Sequence, residues 1–339
     1  MISSNNPTHK EGERFRRLAF LTILVIYLLV LAGGIVRGTG SGMGCPDWPK
    51  CFGQWIPPTH ISQLPPNYQE IYGVKLKGEV EFNAIKTWIE YLNRLLGVLA
   101  GLFVFATLVS SFSYWRRDKV IVLGSIVTFF LLVANAWLGS RVVATELAHY
   151  MITLHLLLAV LVVLSLLFVY VRAMAFDWYV GKIFRKSNSA NTLLLMTMVL
   201  TLGQVLLGTQ VRDALNEVIK LMGYDQRANW IEELDWRFYV HRSFSLVILA
   251  LHITVAVSLL KTKGLKFLRK AGVWLSVLVL LEIITGAIMG YFAVPALLQP
   301  IHLFLAVIIV GIQFVVWLVL NPQLSLPKMR KEQVSLQKM

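Results

Sequence analysis

Charged residues are scarce in this chain of 339 residues. Only 15% of them are Asp, Glu, Lys or Arg, whereas soluble proteins carry roughly 25%. Hydrophobic residues make up 57% of the chain. So few charged side chains cannot cover a globular surface, which argues against a soluble enzyme. The high hydrophobicity also excludes an intrinsically disordered chain.

Long apolar stretches replace the missing charge. Eight of them are long enough to cross a bilayer, which takes about 20 residues. Each is too long for a barrel strand, so the sequence predicts an all-α integral membrane protein with eight transmembrane helices. The stretches are 18–36, 95–115, 120–140, 147–171, 187–211, 243–260, 271–293 and 300–320.

Acidic residues are scarcer than basic ones, 18 against 32, and the net charge is +14. A basic excess can indicate nucleic-acid binding, but here the basic residues are concentrated on one side of the eight spans. The segments on the side of the two termini contain 20 of the 32 basic residues and 5 of the 18 acidic ones. This bias predicts that both termini are cytoplasmic and that nucleic acid is not a partner.

The first span lacks a signal-peptide cleavage pattern, so it is expected to remain as an anchor. Without an organelle-targeting signal, a bacterial cytoplasmic membrane is the expected location.

Short motifs recur in the same order in the two halves of the chain. Gly-x-x-Val-Arg ends at Arg37 and again at Arg212, and His-Leu-x-Leu-Ala begins at His155 and again at His302. Such a repeat predicts two four-helix bundles related by a pseudo-twofold axis along the membrane normal. The equivalent positions include Gly33 and Gly208, Asn93 and His241, Gly139 and Gly286, and His155 and His302.

The repeat also predicts the domain boundaries. The N-terminal bundle is expected at 18–175 and the C-terminal bundle at 191–320, with long outer loops at 38–87 and 213–235. Cytoplasmic segments are expected at 1–17, 176–190 and 321–339.

Three histidines occupy equivalent positions near the outer ends of helices. Ionisable residues within spans are costly and usually functional. In the C-terminal bundle, His241 and His302 can face each other and bind a flat macrocycle such as haem from both sides. Zinc is less favoured, because no third ligand is grouped with them. Arg37 and Arg212 can pair with haem propionates, or they can simply extend to the membrane surface.

The N-terminal bundle has a different set of polar residues: Asn93, His155 and Glu90. Glu90 has Phe238 as its repeat equivalent, which suggests that only this half acts on a bound molecule. The alternative for Glu90 is an ion pair with Arg94, four residues on.

Three other polar residues are given structural roles. Glu282, which is equivalent to Asn135, is expected to be structural. His149 and His252 are expected to be a helix-end residue and a packing residue.

Only two cysteines are present, in the sequence Cys45-Pro-Asp-Trp-Pro-Lys-Cys51. An oxidising compartment favours a disulfide between them. Two buried free thiols and a metal site remain as alternatives, although two cysteines alone do not complete a zinc site.

The stretch from Gly34 to Cys51, the helix that contains Glu90, and the three histidine motifs together resemble the haem A synthase family. The resemblance covers essentially all eight spans. It implies oxidation of a methyl group of haem O to a formyl group by two successive hydroxylations with loss of water. It further implies haem b held by His241 and His302, haem O as substrate in the N-terminal bundle, Glu90 as the essential carboxylate, and paired Cys45 and Cys51.

The resemblance also implies partners. Haem O would come from a haem O synthase, which is a farnesyltransferase, the electrons would pass to an acceptor, and the product would be used in cytochrome c oxidase assembly. The lipid bilayer is the surrounding medium, and the sequence leaves a homo-oligomer open.

One residue departs from the family pattern. The second helix of the family carries Glu-x-x-His-Arg, whereas this chain has Glu90-x-x-Asn93-Arg94. An amide is a poor iron ligand. Either His155 holds the substrate haem alone, or another group such as His149 substitutes, or the activity is altered.

Two functions from other classes remain as alternatives. A non-catalytic membrane haem b electron carrier would explain the histidines but not Glu90. A transporter would explain the repeat, but it predicts broken helices at mid-membrane.

Overall fold

The computed structural model of the chain describes residues 7–72, 82–145, 147–179, 188–262 and 266–326. Eight long helices in these ranges are apolar enough to cross a membrane. This confirms the predicted all-α membrane protein with eight spans. The helices are α1 (Pro7–Gly38), α2 (Ala84–Ser111), α3 (Lys119–Ala144), α4 (His149–Tyr179), α5 (Asn188–Met222), α6 (Trp236–Lys261), α7 (Lys266–Tyr291) and α8 (Leu298–Leu320).

Side-chain caps begin three of these helices. The side chains of Asn83, Asp118 and Asp235 accept backbone hydrogen bonds at the starts of α2, α3 and α6. Such caps satisfy N–H groups that have no partner within the helix. A further contact fixes the α3 cap, because Arg172 of α4 donates to Asp118.

Helix α5 is longer than the sequence predicts. It continues through Met222, so the expected outer loop 213–235 is helical over its first ten residues. The charged residues there end an apolar stretch but not the helix, because Ala214, Leu215 and Val218 pack against Trp230 and Leu234. Parts of the predicted cytoplasmic segments 1–17, 176–190 and 321–339 lie outside the described residues, namely 1–6, 180–187 and 327–339, as do residues 73–81 of the first loop.

The helices pack as two sets of four. In the N-terminal half, contacts run around the ring α1–α2–α3–α4, and in the C-terminal half around the ring α5–α6–α7–α8. The halves meet through α1 with α8, α4 with α5, and α4 with α8. This pattern is the one expected of two equivalent bundles, whereas the pseudo-twofold axis itself stays a prediction.

The contact between α1 and α8 depends on two glycines. A Cβ on Gly34 would lie 3.0 Å from Cβ of Pro300, and one on Gly38 would lie 2.8 Å from the carbonyl oxygen of Ala296. Small residues four apart allow helix backbones to approach closely in a membrane. Helix α8 is accordingly the most enclosed of the eight described spans.

Candidate functional sites at one end of the two bundles

The imidazoles of His241 and His302 face each other across the C-terminal half. They lie on the diagonally placed helices α6 and α8, and their ring centres are 6.4 Å apart. A metal–imidazole bond is about 2 Å long and the nitrogen lies about 1 Å from the ring centre, so two rings on one ion have centres about 6 Å apart. The spacing therefore suits two axial ligands of a single metal.

Hydrogen bonds leave one nitrogen of His302 free. The hydroxyl of Thr285 donates to the backbone carbonyl of Glu282 and lies 2.9 Å from Nδ1 of His302. Because its hydrogen is used, this hydroxyl accepts from Nδ1–H. Nε2 is then available as a metal ligand, as in most histidine sites.

Glu282 has a partner that sequence reasoning missed. Its carboxylate lies 3.3 Å from the same Nδ1 of His302, and its other oxygen is buried without a hydrogen bond among the described residues. Thr285 is the third residue after Glu282, which places both on the face of α7 that contacts α8. Glu282 is therefore adjacent to a candidate ligand, where a carboxylate orients the ring.

Each of the three histidines rests against a glycine of a neighbouring helix. An ideal Cβ on Gly139, Gly208 or Gly286 would lie 3.2 to 3.3 Å from the ring carbon Cε1. Gly139 contacts the ring of His155, Gly208 that of His241, and Gly286 that of His302. A methyl group there would press on the ring, so glycine allows the imidazole to pack against the helix backbone. The repeat thus reproduces one local geometry three times.

In the N-terminal half, His155 is oriented like His302. Its Nδ1 donates to the backbone carbonyl of Asn135 at 3.0 Å, which leaves Nε2 without a partner among the described residues. On the diagonally opposite helix α2, the side-chain oxygen of Asn93 is buried without a hydrogen-bond partner among the described residues. This half therefore presents one imidazole and one amide at the positions where the other half has two imidazoles.

Glu90 joins the first loop to α2. Its buried carboxylate accepts from the backbone N–H of Cys45 at 2.9 Å and forms a 2.5 Å ion pair with Arg94. Arg94 also donates to the carbonyls of Cys45, Asp47 and Lys50. The ion pair between Glu90 and Arg94 that the sequence offered as an alternative is thus present. It is part of a hydrogen-bond network that holds the loop.

The loop itself is closed by a disulfide. Sγ of Cys45 and Sγ of Cys51 are 2.02 Å apart. Of the three alternatives that the sequence left open, the structure therefore has the disulfide. Both cysteines are buried in a cluster with Phe52, Leu64 and Tyr68. The loop therefore forms a compact cap over the N-terminal half.

The two arginines of the repeat lie where the halves meet. Arg37 forms a 2.5 Å ion pair with Asp213, and Arg212 donates to the backbone carbonyl of Arg37. Asp213, which is also 3.2 Å from Nδ1 of His149, was missed in the sequence, although a carboxylate beside a span is a functional signal. Nε of both arginines is buried without a partner in the described ranges, so each keeps a donor for an anionic group.

His252 is separate from these sites. Its Nδ1 donates to the carbonyl of Ile248 in the previous turn of α6, and its Nε2 lies 3.0 Å from the amide of Gln313. Among the described residues, no group of three or more His, Cys, Asp or Glu side chains can hold a metal ion.

The fold and the site geometry define the class of protein. Eight spans in two sets of four, with paired imidazoles at one end, describe an integral membrane protein of the helix-bundle type. The comparison with protein families identifies the family. The model for the cytochrome oxidase assembly proteins of the COX15-CtaA family matches residues 16–314, so the chain belongs to this family.

Individual relatives carry the name haem A synthase. The protein of Rickettsia prowazekii (strain Madrid E) is 24% identical over 332 residues, which are 89% of this chain and 96% of that protein. The protein of Pelagibacter ubique (strain HTCC1062) is 29% identical over 216 residues, 58% and 60% of the two chains. The protein of Bartonella bacilliformis is 31% identical over 173 residues, about half of each chain.

These matches confirm the resemblance to haem A synthases that the sequence motifs indicated. Because the relatives are bacterial and the chain has eight apolar helices, it is a multi-pass bacterial membrane protein.

Proposed function

We propose that this protein is a haem A synthase, which oxidises a methyl group of haem O to a formyl group with the help of a bound haem b. The observation that carries the proposal is the 6.4 Å separation of the His241 and His302 rings. A haem b between these rings would supply one-electron redox chemistry. The spacing of the rings and the free Nε2 of His302 fit such a group.

The residues around the haem b site hold and orient its ligands. Thr285 and Glu282 fix the ring of His302 through Nδ1, and Gly208 and Gly286 let both rings lie against their neighbouring helices. A carboxylate or hydroxyl on the outer nitrogen increases the donor strength of the ligating one. The ring of His302 is thus held through Nδ1 before haem binds, whereas Nδ1 of His241 is buried without a hydrogen-bond partner among the described residues.

The N-terminal half is the proposed substrate site for haem O. His155 presents Nε2 as the iron ligand, and Asn93 lies at the repeat position of the second ligand. Arg37 and Arg212, each with a free Nε donor, are proposed to bind propionates, since guanidinium and carboxylate geometries match. Asp213 neutralises part of their charge and links both halves at this point.

Glu90 is the proposed catalytic residue. Conversion of a methyl to a formyl group by two hydroxylations and loss of water removes four electrons and four protons from methyl plus water. A fixed carboxylate near the methyl can stabilise positive charge or accept a proton. Arg94 and the N–H of Cys45 hold this carboxylate in one orientation, and the side chain of Glu90 is buried.

The proposal includes the surroundings of the enzyme. Haem O is received from a haem O synthase, and the electrons pass to an acceptor in or on the bilayer. The excess of basic residues in the segments on the side of the two termini predicts that both termini are cytoplasmic, and both haem sites would then lie near the outer surface.

Haem extraction tests the proposal. The full-length protein is produced together with a source of haem O, and its extracted haems are identified by mass. We expect haem b and haem A from the wild type. We expect haem b with haem O or its alcohol from Glu90→Gln, because the amide keeps the shape but removes the charge.

Two results would refute parts of this scheme. A wild-type protein that retains haem b but never yields haem A is an electron carrier. Normal haem A from Glu90→Gln removes the catalytic role of Glu90. A Glu90→Asp control, which keeps the charge but shortens the side chain, distinguishes loss of charge from loss of the loop contact.

A further inference from the structure

The surface of α1 beside Gly33 is not covered by a described side chain of a neighbouring helix. This glycine is equivalent to Gly208, whose ideal Cβ would lie 3.3 Å from the ring of His241. Around the corresponding point at Gly33, apart from its own stretch of α1, no atom of the described residues lies within 4 Å. The helix surface that receives an imidazole in one half is therefore uncovered in the other.

The residue opposite this surface explains the difference. Asn93 is equivalent to His241, but its side chain ends at the amide and lacks the Cε1 and Nε2 atoms of an imidazole. Its side-chain oxygen is buried and without a hydrogen-bond partner in the described part of the chain. A buried polar atom without a partner is costly, which suggests that a bound group satisfies it.

The other candidate ligand in this half is directed elsewhere. His149 lies six residues before His155 on α4, which rotates its side chain by about 240° around the helix. Its Nδ1 lies 3.2 Å from Asp213, and its side chain is 53% exposed. His155, by contrast, rests against Gly139 in the geometry that both histidines of the C-terminal half share.

We propose that the N-terminal site binds its haem through His155 alone and leaves the opposite axial position, between Gly33 and Asn93, open to a small exogenous molecule. This inference rests on the proposed function, because it concerns the substrate haem. The ligands admitted are small molecules that bind haem iron, and the amide of Asn93 can donate to or accept from them. The two halves would then differ by one axial ligand.

Absorption spectroscopy tests the proposal on the full-length protein loaded with haem O. We expect one low-spin haem from the C-terminal site and one high-spin haem from the N-terminal site. Carbon monoxide should bind to the high-spin haem after reduction. Free imidazole should convert it to low spin without any change in the protein.

Two variants form a matched pair. Asn93→His should place an imidazole against Gly33, convert the N-terminal haem to low spin and abolish its reaction with carbon monoxide and imidazole. Asn93→Gln cannot supply an imidazole and should keep the reactive high-spin haem. The reverse change, His241→Asn, should create a carbon monoxide-reactive haem beside Gly208.

The outcomes separate this inference from the proposed function. If the wild type makes haem A but its second haem is low-spin and unreactive, the single-ligand site is wrong and the enzyme assignment stands. If the protein takes up no second haem, both are wrong. If Asn93→His binds haem O but stays high-spin and reactive, the space beside Gly33 does not accept an axial imidazole and the inference fails.

Discussion

The two halves of this protein carry the same framework and different chemistry. Arg94 and Arg242 are equivalent, yet Arg94 pairs with Glu90 and binds three loop carbonyls. Arg242 instead lies over the rings of Phe238 and Tyr239, at 5.7 and 5.5 Å. The equivalent arginine thus makes an aromatic contact in one half, whereas in the other half a glutamate and the first loop draw it into a charged network.

The caps above the two sites differ in the same way. Above the N-terminal site, the loop is closed by a disulfide and anchored through Arg94. Above the C-terminal site, the extension of α5 packs against Trp230, Leu234 and Val294 without a covalent bond. The comparison teaches that a duplicated bundle can keep its ligand positions while its covering loops and charges diverge.

The largest expected effect comes from the candidate ligands of the C-terminal half. Replacing His241 or His302 with Met should alter or abolish the low-spin haem b spectrum, because Met is a weaker ligand and raises the reduction potential. The measurement is the absorption spectrum with a redox titration of the purified protein. An unchanged spectrum in both variants would remove this pair as ligands, and His252→Met serves as the control.

The equivalent arginines allow a direct test of the charged network. Arg94→Gln should destabilise the protein by about 3 kcal/mol, because it leaves the buried carboxylate of Glu90 unpaired. Arg242→Gln removes a cation–π contact and should cost about 1 kcal/mol or less. Thermal unfolding in detergent measures both, and equal losses would show that the Glu90 network adds no stability.

The disulfide provides the next comparison. Replacing both Cys45 and Cys51 with Ser should destabilise the first loop by about 2 kcal/mol, as expected for a short closed loop. Thiol labelling of the unreduced wild type should fail, since both sulfurs are bonded. Ready labelling of both cysteines would mean that the loop is closed by packing alone, as in the other half.

The smallest expected effects concern the glycine contacts. Gly208→Ala should weaken retention of haem b about tenfold, because the added methyl would press on the His241 ring and misorient a ligand. Gly33→Ala meets open space and should leave haem b retention unchanged and stability within about 0.5 kcal/mol. Haem content after gel filtration measures the difference, and a similar loss from both variants would mean that the glycines act through helix packing.

Sequence periodicity and spacing predicted much of this arrangement. Apolar stretches of spanning length can only be helices in a membrane, and all eight predicted spans are helical. The recurrence of Gly139 and His155 as Gly286 and His302 predicted equivalent positions, and both pairs make the same contact in the structure. The end of α5 was predicted less well. Charged residues interrupt an apolar stretch, but the helix continues through them to Met222.

The remaining features depend on contacts between residues far apart in the chain. The sequence by itself determined the number of spans, the repeat and the candidate ligands, because burial in lipid and duplication leave local patterns. Only the tertiary structure showed that Asp213 pairs with Arg37, that Glu282 lies beside His302, and that the surface at Gly33 is uncovered. These depend on how helices pack, and no local pattern encodes the distance between side chains on different helices.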